Sequence, residues 1–189
     1  MTIDDFTTLP CLHVKLAENL ATLKQDILDF LGKPEYAYSS RNNYTKTLPQ
    51  YLTDLLVSDI PCEVRSCFIS VISPSASIPF HNDGIPKFSV NLPLDNCDKV
   101  SFVHSDDTVP AELISTVNGA NADGTTYNYE IADKFQPTTV INATFNKPTI
   151  LNVKRFHLDS NDSTAPAVFL CIRFASVQEN LAFEILQNV

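Results

Sequence analysis

The chain has 189 residues, 44% of them hydrophobic, so it is long enough for one domain with a full core and too short for two to be expected. A formal net charge of -9, with the 13 Lys and Arg residues scattered, disfavours nucleic acid, an anionic membrane surface and polyanionic substrates as partners, although a small anion could still bind inside a cleft. No apolar run is long enough to cross a bilayer, no secretory signal opens the chain and the five cysteines form no CxxC pair, so we expect a cytoplasmic protein with reduced thiols.

The first 60 residues are predicted to form a helical lead-in. Apolar residues recur every three or four positions across 15–31, which predicts one amphipathic helix that ends at Gly32 and Pro34. These apolar residues are Leu16, Leu20, Leu23, Ile27 and Leu31. A shorter helix is predicted from Pro49, a favourable first-turn residue, to Leu56.

From Pro61 onward the pattern changes to short β-rich runs separated by Pro, Asn, Asp and Ser clusters. The predicted strands are 64–72, 87–94, 100–104, 113–117, 126–131, 138–145, 149–153 and 167–174. About eight strands after a helical lead-in favour a jelly roll or barrel over a parallel α/β sheet. Residues 118–126 hold two of the four glycines and are predicted to form a hairpin turn or an exposed loop. We predict a single domain, 1–189, in three parts: the helical lead-in 1–60, the β core 61–176 and a C-terminal segment 177–189.

A His-x-Asp pair, His81 and Asp83, follows a predicted strand at a turn. Side chains two positions apart on an extended segment point the same way, so the pair can hold one metal ion, with His157 as the third ligand. Two imidazoles and one carboxylate on one side of a metal suit non-haem Fe(II), which needs open positions for other ligands. On spacing alone, the alternative is a hydrogen-bonded surface pair. His13 and His104 have no such context and are predicted to be structural or solvent-facing.

The sequence around this pair resembles the Fe(II)/2-oxoglutarate-dependent dioxygenase superfamily. Residues 69–84, ISVISPSASIPFHNDG, resemble its strand, loop and His-x-Asp, and 89–97, SVNLPLDNC, resemble the next strand in aspartyl/asparaginyl β-hydroxylase-like and phage-type members. The match resumes at 148–153, at His157 and at 172–174. The resemblance covers roughly 64–176 and implies a double-stranded β-helix (jelly roll, cupin-like). It also implies Fe(II) at His81, Asp83 and His157, 2-oxoglutarate as co-substrate, and hydroxylation of an unidentified small molecule or peptide.

The position that anchors 2-oxoglutarate in the resembling family differs in this chain. There a basic residue, usually Arg, lies on the last core strand about ten positions beyond the distal histidine, because a guanidinium binds the far carboxylate in a bidentate way. Counting from His157, that position is Ala167. Arg173 lies on the same face of this strand, about 20 Å further along at roughly 3.3 Å per residue. That separation is long for a direct substitute, and a strand-end ion pair is the alternative role for Arg173.

Other residues could serve the co-substrate instead. Lys87 begins the strand after His-x-Asp, whereas Lys154 and Arg155 lie in the turn before His157 and are more typical of solvent-facing positions. Ser70 and Asn91 lie on strands predicted to line the pocket and can hydrogen-bond a carboxylate or a metal-bound water. If Val90 and Leu92 face the outer layer, Asn91 faces the cavity.

Two other function classes remain open from the sequence. A cupin-like metalloprotein that binds a different bidentate substrate would explain Ala167 at the anchor position. A non-catalytic jelly-roll binding or structural module would need no metal.

Overall fold

The computed structural model describes residues 1–4, 6–9, 12–32, 43–105, 107–120 and 126–187. Over these residues the chain forms two six-stranded antiparallel sheets and three α-helices. No helix within the described ranges is long and apolar enough to cross a membrane. Cys11 lies outside these ranges, and the other four cysteines are free and buried. They are Cys62, Cys67, Cys97 and Cys171.

Each sheet draws its strands from distant parts of the chain. The first sheet contains, in spatial order, β1 (Thr8–Leu9), β10 (Thr149–Leu151), β5 (Ser89–Asp95), β12 (Ala167–Phe174), β3 (Val64–Ile72) and β2 (Asn43–Thr47). The second contains β7 (Ser115–Ala120), β8 (Thr126–Ile131), β4 (Ala76–Asn82), β11 (His157–Asn161), β6 (Val100–His104) and β9 (Ile141–Thr144).

Strands β3 to β6 and β9 to β12 define the fold. Consecutive members of this set cross from one sheet to the other, except β6 and β9, which both lie in the second sheet. Such alternation between two antiparallel sheets makes a double-stranded β-helix, so the predicted jelly roll is confirmed. Strands β7 and β8 form an antiparallel hairpin where a turn was expected, although residues 121–125 of that turn lie outside the described part.

Helices cover the outer face of the first sheet. Helix α1 (Val14–Leu31) ends at Gly32, whose φ of 81° is a conformation that glycine adopts without a steric penalty, as the sequence predicted. It packs with α2 (Gln50–Leu56) and α3 (Glu179–Gln187) in one apolar cluster with alternate residues of the sheet. The cluster includes Leu16, Ile27, Leu52, Leu56, Val90, Leu92, Val168, Leu170, Ile172 and Phe183.

The inner face of the first sheet meets the second sheet. Side chains alternate along β12. Because Val168, Leu170 and Ile172 point outward, the residues on either side of each of them point inward. They are Ala167, Phe169, Cys171 and Arg173. The first three pack in a second apolar cluster with Phe102 and Phe145, whereas Arg173 marks the end where the interior becomes polar.

Four strands and one helix were not predicted. Strands β4 and β11 contain Pro, Asn, Asp and Ser, so their own propensity for strand is weak. They are strands because β11 pairs with β4 on one side and with β6 on the other. The lead-in also contributes β1 and β2, which pair with β10 and β3. The unpredicted helix is α3.

Candidate metal centre

The structure brings the three predicted metal ligands together. His81 in β4 lies directly opposite His157 in β11, and their ring centroids are 4.2 Å apart. Asp83 follows β4, and its backbone N–H donates to the carbonyl of Val153 at 2.9 Å. One ligand atom from each of the three residues lies within 4.8 Å of the other two. This geometry could hold a single metal ion.

Backbone carbonyls orient both histidine rings. The Nδ1 atom of His81 lies 2.8 Å from the carbonyl oxygen of Pro79, and Nδ1 of His157 lies 2.8 Å from that of Arg155. A carbonyl oxygen can only accept a hydrogen bond, so each Nδ1 carries the proton. In its neutral form, each ring therefore keeps the lone pair on Nε2 for a metal, an arrangement that recurs in protein metal sites.

The protonation states also suit a metal. Burial lowers the pKa of His157 to about 3, so this ring is neutral near pH 7. Burial alone would raise the pKa of Asp83, but Arg173, His157 and His81 together outweigh burial and lower it. Asp83 is consequently a carboxylate at neutral pH. An anionic oxygen beside neutral imidazole nitrogen is the form in which these ligands bind divalent metals.

The two carboxylate oxygens of Asp83 face different partners. Oδ1 lies 3.7 Å from Nε2 of His81, whereas Oδ2 accepts a hydrogen bond from Nη2 of Arg173. One oxygen is therefore available to a metal while the guanidinium holds the other in place. The residues present fit a metal ion that takes Asp83 through one oxygen.

The turn after His-x-Asp is fixed by local contacts. The side-chain oxygen of Asn82 accepts the backbone N–H of Gly84 at 3.0 Å, and its Nδ2 donates to Glu130 at 2.6 Å. Gly84 has a φ of 72°, and a Cβ there would come within 2.7 Å of the carbonyl oxygen of Asn128. Glycine is thus required both by the backbone conformation and by the space.

A cavity between the two sheets contains this triad, and three of the predicted co-substrate residues line it: Ser70, Asn91 and Arg173. The hydroxyl of Ser89 donates to Oδ1 of Asn91 at 2.7 Å, which leaves the amide nitrogen of Asn91 as a donor. The apolar residues Val90 and Leu92 lie under the helices, so the alternation expected for Asn91 is present.

The other predicted cations lie elsewhere. Nζ of Lys87 is 3.0 Å from Oδ1 of Asp4, and Lys87 lines a separate surface cleft together with Lys154 and Arg155. Among the described residues that line the metal cavity, Arg173 provides the one Lys or Arg side chain.

Arg173 reaches the predicted metal ligands because the chain reverses direction between β11 and β12. Strand β11 begins at the triad with His157, and β12 begins at the far, apolar end with Ala167, which pairs with Ile72. Moving along β12 from Ala167 therefore leads back toward the triad. The separation along the strand, which made Arg173 look too distant, is what places its guanidinium beside Asp83 and 5.0 Å from the ring centroid of Phe68.

Sequence reasoning missed two residues near the triad. His104, set aside as structural or solvent-facing, is buried directly opposite His157 in the neighbouring strand. Asp159 lines the cavity, and burial raises its pKa to about 6. A signal for Asp159 was present, because His157-Leu158-Asp159 repeats the His-x-Asp spacing of 81–83.

No protein-family model and no curated protein matches the chain. Similar solved structures include an oxidoreductase of the 2OG-Fe(II) oxygenase family from Burkholderia pseudomallei, with a TM-score of 0.45, 13% identity and coverage of 88% of this chain and 92% of that one. Peruvianin-I, a cysteine peptidase from Thevetia peruviana latex, has a TM-score of 0.34 and 11% identity, with coverage of 73% of this chain and 64% of that one. Oxalate oxidase has a TM-score of 0.35 and 8% identity, with coverage of 74% of this chain and 54% of that one. The chain thus spans less than two thirds of the length of the last two, and none of the three activities is carried over to it.

Proposed function

We propose that this chain is a non-haem Fe(II) oxygenase that uses 2-oxoglutarate to hydroxylate an organic substrate. The observation that carries the proposal is that a cluster of two imidazoles and one carboxylate lies in a cavity whose described lining contains one guanidinium. When bound, Fe(II) would bring 2-oxoglutarate and molecular oxygen together, and oxygen would be the oxidant both for decarboxylation of 2-oxoglutarate to succinate and for hydroxylation of a substrate C–H bond. His81, Asp83 and His157 would hold the metal on one side and leave positions open on the other.

Arg173 is the residue proposed to bind the far carboxylate of 2-oxoglutarate. A guanidinium has five N–H donors, so its contact with Asp83 leaves donors for a second carboxylate. Its Nε is buried and has no hydrogen-bond partner among the residues that the structure describes. Ser70 and the amide nitrogen of Asn91 supply further donors in the same cavity.

Aromatic side chains enclose this site. The ring of Phe102 stacks on His157 with centroids 4.7 Å apart, and Phe68 and Phe169 line the same cavity. Phe102 packs against the imidazole of His157, and Phe68 and Phe169 make part of the cavity wall apolar. Charge interactions inside the cavity are accordingly stronger than they would be in water.

The test uses the intact chain without oxygen. Adding Fe(II) and then 2-oxoglutarate is expected to produce the visible charge-transfer band of the chelated complex, and Mn(II) with 2-oxoglutarate is expected to raise Tm more than Mn(II) alone. Arg173→Gln should weaken 2-oxoglutarate binding about tenfold or more, because it removes a charge-assisted contact. Lys87→Gln is the matched control and should leave that binding unchanged.

Failure of the band to form in the wild-type protein, with no additional Tm shift from 2-oxoglutarate, contradicts the proposal. So does an equal loss of 2-oxoglutarate binding in the Arg173 and Lys87 variants, since only Arg173 lines the cavity.

The contact between Arg173 and Asp83 favours a second candidate, a cupin-like metalloprotein that does not use 2-oxoglutarate. In that case the guanidinium serves the metal ligand alone. Calorimetry separates the two: Arg173→Gln would then change Mn(II) affinity, and the Mn(II)-loaded wild-type protein would bind no 2-oxoglutarate. A protein whose Tm does not respond to Fe(II) or Mn(II) would instead be a jelly-roll binding or structural module.

A further inference from the structure

We propose that Asp159 is a substrate-binding residue whose carboxylate receives a cationic amino or guanidino group of the primary substrate. This inference rests on the oxygenase function proposed above and deepens it by naming a substrate class. It starts from the position of Asp159 in β11, two residues beyond the metal ligand His157 and on the same face of the strand.

The cross-strand neighbours of Asp159 are apolar, although His81, Asp83 and Arg173 line the same cavity. Across the strand pairs, Asp159 lies opposite Ile78 of β4 and Phe102 of β6, and both of these side chains line the cavity. A carboxylate between two apolar side chains receives no hydrogen bond from these cross-strand neighbours. Burying such a group without a partner costs free energy, so its presence calls for a partner from outside the chain.

Asp159 differs in this respect from the polar residues that follow it in β11. The hydroxyl of Ser160 lies 2.8 Å from that of Ser101, and Nδ2 of Asn161 donates to the carbonyls of Ile72, Ser73 and Ala165. By contrast, Oδ1 of Asp159 is buried and finds no hydrogen-bond partner in the described part of the chain. Among these three residues of β11, the unsatisfied acceptor is therefore particular to Asp159.

The charges of the cavity favour a cation as this partner. A carboxylate only accepts hydrogen bonds, so its complement must be a donor. In the loaded site, the positive charges of Fe(II) and Arg173 together would equal the negative charges of 2-oxoglutarate and of Asp83, which Arg173 contacts. An ionised Asp159 leaves one negative charge without a counterpart. A protonated amine or a guanidinium supplies both the donors and the missing charge.

The experiment uses the intact chain loaded with Zn(II), which is diamagnetic and redox-inert, and follows binding by proton NMR. The probes are butylamine and butylguanidine, with 1-butanol and butyrate as neutral and anionic counterparts of the same chain length. Wild-type protein is expected to bind the two cations about tenfold more tightly than 1-butanol, and butyrate more weakly still. In Asp159→Asn, the affinities for the two cations and for 1-butanol should differ by no more than about twofold, and the affinity for Zn(II) should be unchanged.

Two further variants make this result specific. Asp162→Asn removes an acid from the exposed turn after β11 and should keep the full preference for cations. Asp159→Leu fills the space between Ile78 and Phe102, so it should lose the preference but raise Tm. A carboxylate with only a structural role would lower Tm when replaced by leucine.

Several outcomes overturn the inference: no preference in wild-type protein, a preference that survives in Asp159→Asn, an equal loss in Asp162→Asn, or loss of Zn(II) binding in Asp159→Asn, which would make Asp159 a metal ligand. Failure of the oxygenase proposal looks different. A protein without the 2-oxoglutarate band that still prefers cations through Asp159 would contradict the reaction and leave the binding site standing.

Discussion

The two ends of the interior between the sheets are built differently, although the same strands run through both. At one end, Phe145 stacks on Phe169 with ring centroids 5.2 Å apart, and Ala167 is fully buried beside Ile72. At the other end, the same inward face of β12 presents Arg173, opposite the triad and Asp159. The first end is close-packed and apolar, whereas the second holds partly buried charged side chains. Two of their buried atoms, Oδ1 of Asp159 and Nε of Arg173, have no hydrogen-bond partner among the described residues.

This difference indicates a division of labour within one core. Close-packed apolar side chains stabilise the fold, whereas buried charges with incomplete partners reduce its stability and are kept where ligands bind. Changes at the apolar end should therefore alter stability without altering metal binding. Replacing a residue of the triad at the polar end should instead alter metal binding.

The largest effect on stability is expected from Phe145→Ala. Phe145 is 1% exposed and also contacts the ring of Phe102, so truncation leaves a cavity and should lower the free energy of unfolding by about 3–5 kcal/mol. Urea denaturation of the metal-free protein measures this loss. Mn(II) affinity should remain within about threefold of wild type at a temperature where the variant is folded, and a larger loss would mean that the two ends are coupled.

Removing one predicted metal ligand should weaken metal binding, in contrast to Phe145→Ala. His157→Ala leaves two ligands and is expected to weaken Mn(II) binding by about a hundredfold or more, so that the Tm shift produced by Mn(II) disappears. Calorimetry with Mn(II) gives the affinity directly. His13→Ala, at the start of α1, is the matched histidine control and should bind Mn(II) as wild type does; an unchanged affinity in His157→Ala would exclude this site.

The pH dependence of stability should separate His157 from Asp159. Because the pKa of His157 is lowered to about 3, its unfolded form binds more protons between pH 3 and 6.5, and its contribution raises stability as pH rises. The pKa of Asp159 is raised from 3.8 to about 6, so its contribution lowers stability as pH rises through that range. The two contributions oppose each other between pH 4 and 6.

Variants of His157 and Asp159 should therefore change the pH dependence of the free energy of unfolding of the metal-free protein in opposite directions. His157→Gln should lose stability relative to wild type as pH rises from about 4 to 6, and Asp159→Asn should gain it, by roughly 2 kcal/mol in each case. Urea denaturation in the presence of a chelator measures both slopes. Parallel profiles for the two variants would contradict the assigned protonation states.

The smallest of these effects is expected at the turn after the metal ligands. Gly84→Ala places a Cβ within 2.7 Å of the Asn128 carbonyl oxygen at a φ of 72°, and should cost about 1–3 kcal/mol. Because the turn carries Asp83, Mn(II) affinity should also fall, by less than in His157→Ala. Gly32→Ala is a useful control, because its φ of 81° is equally unfavourable but no atom of the described residues lies within 4 Å of its Cβ. It should lower Tm without changing Mn(II) affinity.

Much of the fold could be predicted from the chain because its signals are local. Short β-rich runs between polar clusters predicted β3, β6, β8 and β12 with the bounds that the structure has, and the helical spacing before Gly32 predicted α1. Strands β4 and β11 were missed because their composition is polar and because it is pairing with neighbouring strands that makes them extended. The residues most important for the site lie on the elements with the weakest local signal.

The same distinction holds for the site. The sequence by itself determined that His81 and Asp83 act as a pair, because two residues on one extended segment share a face whatever the rest of the chain does. It also determined that Arg173 and Ala167 face the same way, since strand parity is a local property. Only the tertiary structure decided that β12 returns toward the triad and that Asp159 lies between Ile78 and Phe102. Those facts depend on how distant strands pair and reverse, and no local spacing encodes them.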